Sequence, residues 1–206
     1  MTSDSAPMTL SVQGISKAYK APLFESVSFT LAAGEGLGIL GHNGCGKTTL
    51  LDIIAGIQKP DAGTVVCYTP VGYVMQSDSF QDALSCQDNL RLEAALCGFK
   101  GRDAQERIQR VAAQCDTLGY LKKRLSKCSA GMRARISIAA ALLPAPGLLL
   151  LDEAFSALDI ESQARIKSLL TDEKARGMSL VMVSHNRDDF NGLCENILTL
   201  SSAGRQ

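Results

Sequence analysis

The stretch Gly41-His-Asn-Gly-Cys-Gly-Lys-Thr-Thr49 constrains this chain more than any other. It fits the pattern G-x-x-x-x-G-K-[ST], with Gly41, Gly46, Lys47 and Thr48 at the required spacing. Glycines let the backbone wrap closely around a polyphosphate, so that successive N–H groups, from His42, Asn43, Gly44 and Cys45 through Thr49, can face the anion. Lys47 can then reach the β- and γ-phosphates, and the Thr48 hydroxyl can ligate Mg²⁺. The flanks agree: residues 36–40 read as a buried strand, and residues 48–54 as a helix whose positive N-terminal end faces the phosphates. A strand, such a loop and a helix in that order predict a nucleoside triphosphate site.

Length and charge narrow the setting. A chain of 206 residues makes one domain, or one core with a subdomain. Lys+Arg and Asp+Glu both total 21, so the balance gives no reason to expect nucleic acid as a partner. No apolar run approaches the roughly 18 residues needed to cross a bilayer; the longest, residues 139–151, is broken by Pro144 and Pro146. Residues 1–7 lack a basic start and an apolar stretch, so they predict a frayed tail rather than a signal peptide. The 7 cysteines are scattered and without C-x-x-C pairing, which favours a reducing cytosol over a disulfide framework or zinc site.

Along the chain, alternating apolar and polar residues around positions 10–12 and 27–31 predict a small antiparallel sheet ahead of the loop. Short strands are expected at 64–68 and 71–75, and buried strands at 148–151 and 180–183. From about residue 76 to 146 the character is helical, with one helix over 89–96 and another opened at Asp103 by a capping box with Glu106. Residues 161–176 read as an amphipathic helix ended by Gly177. The expected architecture is one domain over 1–206: an α/β core from 1–75 and 147–206, interrupted by a helical insertion over about 76–146.

The run Leu148-Leu-Leu-Leu-Leu-Asp152-Glu153 is a buried strand ending in two acids. Beside a phosphate loop, Asp152 is suited to hold Mg²⁺ directly or through water, and Glu153 to polarise an attacking water as general base. Ser129 and Gly131 precede a helix that includes Ile136, Ala139 and Leu143, so a serine cap and a helix N-terminus form a second possible anion site. His185 follows an apolar strand, where its imidazole could bond a γ-phosphate or orient Glu153 and water.

Taken together, these motifs resemble the ATP-binding subunit of ABC transporters, in the family's order and over nearly the whole chain. The phosphate loop corresponds to Walker A and residues 148–153 to Walker B; Val74-Met-Gln76 resembles the Q-loop, Cys128-Ser-Ala-Gly-Met132 the signature, Ser156-Ala-Leu-Asp159 the D-loop, and Ser184-His185 the switch histidine. The resemblance implies a RecA-like P-loop NTPase core with a mixed or parallel sheet, a small N-terminal antiparallel β subdomain and an inserted α-helical subdomain. It implies ATP and Mg²⁺ as ligands, with Gln76 touching the metal or water and Tyr19 stacking on adenine, unless that ring is packed in the N-terminal sheet. It also implies a second such subunit, the same or different, packed head to tail so that Ser129 and Gly131 reach the partner's nucleotide and Asp159 lies at the interface. A separate integral membrane permease is the implied coupling partner, received on residues 77–101, with this chain on the cytoplasmic face.

The chain departs from the family at Ala130 and Met132, where Gly and Gln are usual, and at Ala154, where Pro is usual. The altered signature and small size resemble exporter cassettes more than importers. Cys45 within the loop is expected to block nucleotide entry when alkylated. Three rivals remain on sequence alone: a soluble ABC ATPase outside transport, a nucleotide-dependent switch with little hydrolysis, and a small-molecule P-loop kinase.

Overall fold

In the computed structural model, which describes residues 6–77 and 79–201, the N-terminal residues form two long antiparallel strands, β1 (Met8–Ala18) and β2 (Pro22–Ala32). The expected frayed tail lies mostly outside the described residues. Leu10 and Val12 send apolar side chains into the core two residues apart, with Thr9 and Ser11 also buried, but the next buried residue is Ile15, three beyond Val12. A bulge at Gln13–Gly14 makes the difference: the partner strand advances only from Phe29 to Val27, and Gly14 takes φ +61°. The Ser28 hydroxyl accepts from the Gly14 N–H at 2.8 Å and holds it.

After β3 (Gly36–Leu40) and α1 (Lys47–Ile54) come β4 (Ala62–Cys67) and β5 (Val71–Val74). The two short strands expected in this stretch go to different sheets. β4 returns to pair with β1, giving a three-stranded antiparallel sheet β2-β1-β4, so that sheet is completed behind the loop rather than wholly ahead of it. β5 opens a second sheet. Its other members are β6 (Leu148–Asp152), β7 (Ser179–Val183) and β8 (Asn196–Thr199), and its order is β5-β6-β7-β3-β8 with every pairing parallel.

Each residue of β6 and β7 is buried, as expected for parallel strands covered on both faces. Alternation divides their side chains between two cores. Leu148, Leu150, Val181 and Val183 pack with α1 and the antiparallel sheet. Leu149, Leu151, Leu180 and Met182 pack with the helices on the other face. β3 sends Leu37 and Ile39 to the first core and has glycine on the second face. A Cβ at Gly38 would lie 2.9 Å from the Phe190 ring, and one at Gly36 would strike the Leu193 carbonyl, so the chain after β7 can lie directly on the strand.

The helical stretch contains α2 (Cys86–Leu96), α3 (Gly101–Gln114) and α4 (Ala130–Leu142), with α5 (Ile160–Ala175) between β6 and β7. α2 starts earlier than expected because Ser85 caps it, accepting from the Asp88 N–H. The capping box at Asp103 does not form. α3 begins at Gly101 without a side-chain cap, and Asp103 and Glu106 instead pair across one turn with Arg107 and Arg102, at 3.0 and 2.6 Å. α3 packs through an apolar stripe: Ile108, Val111 and Cys115 are buried and Ala104 packs beside them. α5 is capped by Asp159, whose carboxylate accepts from the Ser162 N–H at 2.8 Å.

Candidate functional site

The loop after β3 is shaped by its glycines for three separate reasons. A Cβ at Gly41 would lie 2.4 Å from Cys45 Sγ. Gly46 sits at φ +98°, and a Cβ there would run into Leu23 and Phe24. Gly44 has open space around it but needs φ +82°, which a side chain rarely adopts. Gly46 is also the N-terminal cap of α1 and no side chain caps that helix, so its first-turn N–H groups are left for an anion. The Lys47 ammonium is nearly buried and donates to the carbonyls of Gly41 at 2.8 Å and His42 at 3.2 Å. A phosphate oxygen is a stronger partner for that ammonium than either carbonyl.

Above the loop is a cavity of roughly 300 Å³, and most residues singled out in the sequence line it. Asn43, Gly44, Gly46, Lys47, Thr48 and Thr49 form its floor, and Gln76, Asp152 and Glu153 its wall. Tyr19 is at the rim, with 65% of its surface exposed; its hydroxyl accepts from Gln58 Nε2 at 2.7 Å, so the ring is not packed into the antiparallel sheet. His42 is exposed and outside the lining; its Nδ1 lies 2.9 Å from the Asn43 carbonyl. Gly41 and Cys45 support the loop from beneath. Cys45 is fully buried in the core under α1, so the expectation that alkylating it blocks the site fails on access: the thiol offers solvent no surface. Leu23 lines the cavity too, and no sequence pattern marked it.

The Thr48 hydroxyl donates to Asp152 Oδ2 at 2.6 Å, linking the start of α1 to the end of β6. Asp152 is 2% exposed. Burial holds its carboxyl above the ordinary carboxylate range, the negative charges of Glu153 and Asp52 push the same way, and the Thr48 hydrogen bond and Lys47 oppose them. The Asp152 carboxylate and the Thr48 hydroxyl are two hard oxygen donors in a field made more negative by Glu153 and Asp52, which fits Mg²⁺ with its remaining ligands drawn from water and phosphate. Asp52 also accepts from the Tyr73 hydroxyl at 3.0 Å, and burial and these carboxylates hold that phenol well above its usual range.

Glu153 adopts the left-handed backbone region at φ +53°, a conformation that costs a non-glycine residue about 1–3 kcal/mol. Its neighbours hold it there: its N–H donates to the Val183 carbonyl, and its own carbonyl accepts from the Ser156 N–H and, at 2.8 Å, the Ser156 hydroxyl. The turn takes the carboxylate out of the strand's alternation and sets Oε2 2.8 Å from His185 Nδ1. Beneath His185, the buried Ser184 hydroxyl donates to Asp189 Oδ2 at 2.6 Å and accepts from the Asn186 N–H, fixing the turn after β7.

The remaining predicted residues are elsewhere. Ser129 is exposed at the N-terminus of α4, where its hydroxyl accepts from the Met132 N–H at 3.2 Å. A Cβ at Gly131 would come to 3.0 Å of the Ala157 carbonyl. Neither residue lines the cavity of its own chain, and Asp159 is exposed at the cap of α5. Met132, in the place of the usual glutamine, accepts at its carbonyl from the Tyr120 hydroxyl at 3.3 Å.

The ABC transporter family profile matches residues 24–156, from within β2 through both acids at the end of β6. The chain belongs to the ABC transporter ATP-binding subunits. As a member it is an ATP-hydrolysing subunit of a transporter, taking ATP with Mg²⁺. It is 30% identical to the O-antigen export system ATP-binding protein RfbB of Klebsiella pneumoniae, over 90% of this chain and 76% of that one. It is 34% identical to the taurine import ATP-binding protein TauB of Pseudomonas aeruginosa, over 86% and 71%. Among solved structures, a metal-chelate type ABC transporter in an inward-facing conformation superposes with a TM-score of 0.84 at 31% identity, over 94% of this chain and 79% of that one. The parallel sheet and the separate antiparallel sheet are those of an ABC ATPase. The sheet expected to be mixed or parallel is parallel throughout.

Proposed function

We propose that two of these ABC subunits, identical or paired with a related one, close head to tail over two Mg-ATP and drive a separate membrane permease. One observation carries this reading: the exposed serine-capped start of α4 lies outside the cavity that holds its own chain's phosphate loop. A second anion site outside the first has a use when it completes the first site of a partner.

Within one subunit the residues divide the work. The uncapped start of α1 and Lys47 hold the β- and γ-phosphates, and Tyr19 offers its ring to the base at the cavity rim. Thr48 and Asp152, with Gln76 nearby, would hold Mg²⁺, which would supply positive charge to the phosphates. Glu153 takes a proton from the attacking water, and His185, bonded to its Oε2, keeps that carboxylate aimed. Ser129 and Gly131 bring a helix N-terminus to the far side of the partner's γ-phosphate.

The helical stretch, about 76–146, acts as the unit that turns as the dimer closes. Its outer face, residues 77–101, receives the permease; an apolar groove between Tyr73, Phe80, Cys97 and Pro144 opens there, beside Leu96, which is 81% exposed. No helix among the described residues is long and apolar enough to cross a membrane, so the spanning segments are assigned to the permease and this chain to the cytoplasmic face. Export is the proposed direction, on the departures at Ala130 and Met132.

The test is Glu153→Gln with ATP and Mg²⁺, read by turnover and by analytical ultracentrifugation. The expected variant binds ATP, accumulates as a dimer and turns over at least 100-fold more slowly, the size of a general-base effect. A variant as active as the native chain sinks the proposal. ATP-driven flux in inverted membrane vesicles containing the co-purified permease reads the direction.

A further inference from the structure

The stretch leading into the signature carries a pair of thiols that the nucleotide chemistry does not use. Cys86 is the first residue of α2 and fully buried; Cys128, partly buried, directly precedes the capping Ser129. Their Sγ atoms are 3.4 Å apart. The segments that carry them are tied together on both sides of the contact. Ser85 and Arg124 form an antiparallel bridge, the Cys86 N–H donates to the Lys123 carbonyl at 2.9 Å, and the Leu125 N–H donates to the Leu84 carbonyl at 2.9 Å.

We propose that Cys86 and Cys128 are an oxidative modification site, closed to a disulfide by peroxide, and that the bond alters turnover by moving the signature serine. The effect on turnover rests on the signature reading given above; formation of the bond does not.

The step balances with hydrogen peroxide as oxidant. Cys128, the more accessible thiol, attacks as thiolate and breaks the O–O bond, giving a sulfenic acid and, after protonation of the leaving hydroxide, one water. Cys86 Sγ then attacks the Cys128 sulfur, loses its proton and expels hydroxide, which leaves as the second water. Each sulfur loses one electron overall, and the two electrons reduce the peroxide.

Burial and the contact with Cys128 push the Cys86 thiol up to about 12, which makes it the second actor rather than the first. The raised pKa lowers its thiolate fraction, and the high effective molarity of a thiol held in contact works against that loss. Closing the bond shortens the sulfur separation from 3.4 Å to about 2.05 Å. Cys86 is anchored in a buried helix start, so the movement falls on Cys128 and on the adjacent Ser129. An ångström of misplacement at a catalytic contact is enough to cost up to about 100-fold in rate.

The experiment treats the reduced full-length chain with graded hydrogen peroxide. Remaining thiols are blocked with N-ethylmaleimide in denaturant, the chain is digested without reductant, and peptides are read by mass spectrometry beside parallel ATPase assays. The expected result is a linked Cys86–Cys128 peptide 2 Da lighter than the separate pair, a loss of turnover of threefold or more, and recovery of both with dithiothreitol. Cys86→Ala is expected to lose the linked peptide and the dithiothreitol-reversible change. Should that variant fail to fold, Cys128→Ala reads the same loss of linkage at the other sulfur. Recovery of both cysteines fully alkylated after peroxide treatment overturns the site, as does linkage found mainly through the exposed Cys97. A linked peptide with unchanged turnover upholds the site and overturns the signature reading instead.

Discussion

The starts of α1 and α4 are both helix N-termini preceded by a turn, and they are prepared in opposite ways. α1 has glycine at its cap, no side chain on its first-turn N–H groups, and a nearly buried lysine as its first residue, all at the floor of a cavity. α4 has an exposed serine that already bonds the Met132 N–H, outside the cavity over the phosphate loop. The first is an anion site waiting for a ligand inside its own chain. The second has its serine already bonded within the helix, and on the proposed reading its ligand comes from a partner chain. In the proposed dimer, the asymmetry separates residues that bind nucleotide in a single subunit from residues that act only in a pair.

The strongest way to break this contrast is complementation. Lys47→Ala and Ser129→Ala, each made alone, are expected to lower turnover, Lys47→Ala by on the order of 100–1,000-fold, as for other preorganised charge-stabilising groups. Mixed in equal amounts as a homodimer, they are expected to recover about a quarter of native turnover, since half the dimers are mixed and each mixed dimer holds one intact site of two. No recovery on mixing means that both residues serve the same chain's nucleotide. A second experiment uses nucleotide affinity, read by a fluorescent ATP analogue with the protein dilute. Lys47→Ala is expected to lose at least tenfold, whereas Ser129→Ala stays within about twofold of native, a difference of about 1 kcal/mol or more between the two helix starts.

Asp152 sharpens the contrast from the metal side. Its folded-state pKa is raised, so the native chain holds its proton to higher pH than the unfolded chain does. Stability of the nucleotide-free protein therefore falls as pH rises from the ordinary carboxylate value to the raised one, and stays lowered above it. Asp152→Asn is expected to remove that fall and to melt higher than the native chain at neutral pH without ligand. The same variant is expected to lose the Mg-ATP stabilisation, which is about 2.7 kcal/mol at a hundredfold excess over Kd. Melting curves across pH, with and without Mg-ATP, check both. The smallest expected effect is at the α4 cap. Ser129→Ala costs about 1 kcal/mol of stability by urea denaturation and Ser129→Gly only a few tenths, because glycine leaves the N-terminus open to water.

Much of this arrangement was legible in the sequence because it depends on patterns with few alternative uses. Glycines at 41, 44 and 46 answer to clash or to left-handed backbone, and the leucine run 148–151 is buried on both faces. What stayed hidden depends on tertiary contact. β8 carries only Ile197 and Leu198 as apolar residues, both half-buried, so its strand character comes from β3 beside it rather than from its own pattern. Asp103 and Glu106 have capping-box spacing, but Arg102 and Arg107 compete for their carboxylates, and the helix starts earlier. The left-handed turn at Glu153 is invisible in sequence because glutamate has no preference for it; Val183 and Ser156 impose it. The burial of Cys45 likewise follows from the core beneath α1 and not from the loop motif.

The alternation of β6 and β7 between two cores has a consequence for how the chain comes apart. Leu148 and Leu149 are adjacent in sequence, yet each helps to seal a different apolar compartment. Opening either compartment strips one side of the partition that closes the other. Amide protons in this partition are therefore expected to exchange with solvent most slowly of all, and only when the whole chain unfolds. The helical face and the phosphate-loop face share a wall one residue thick, and neither can melt and leave the other standing.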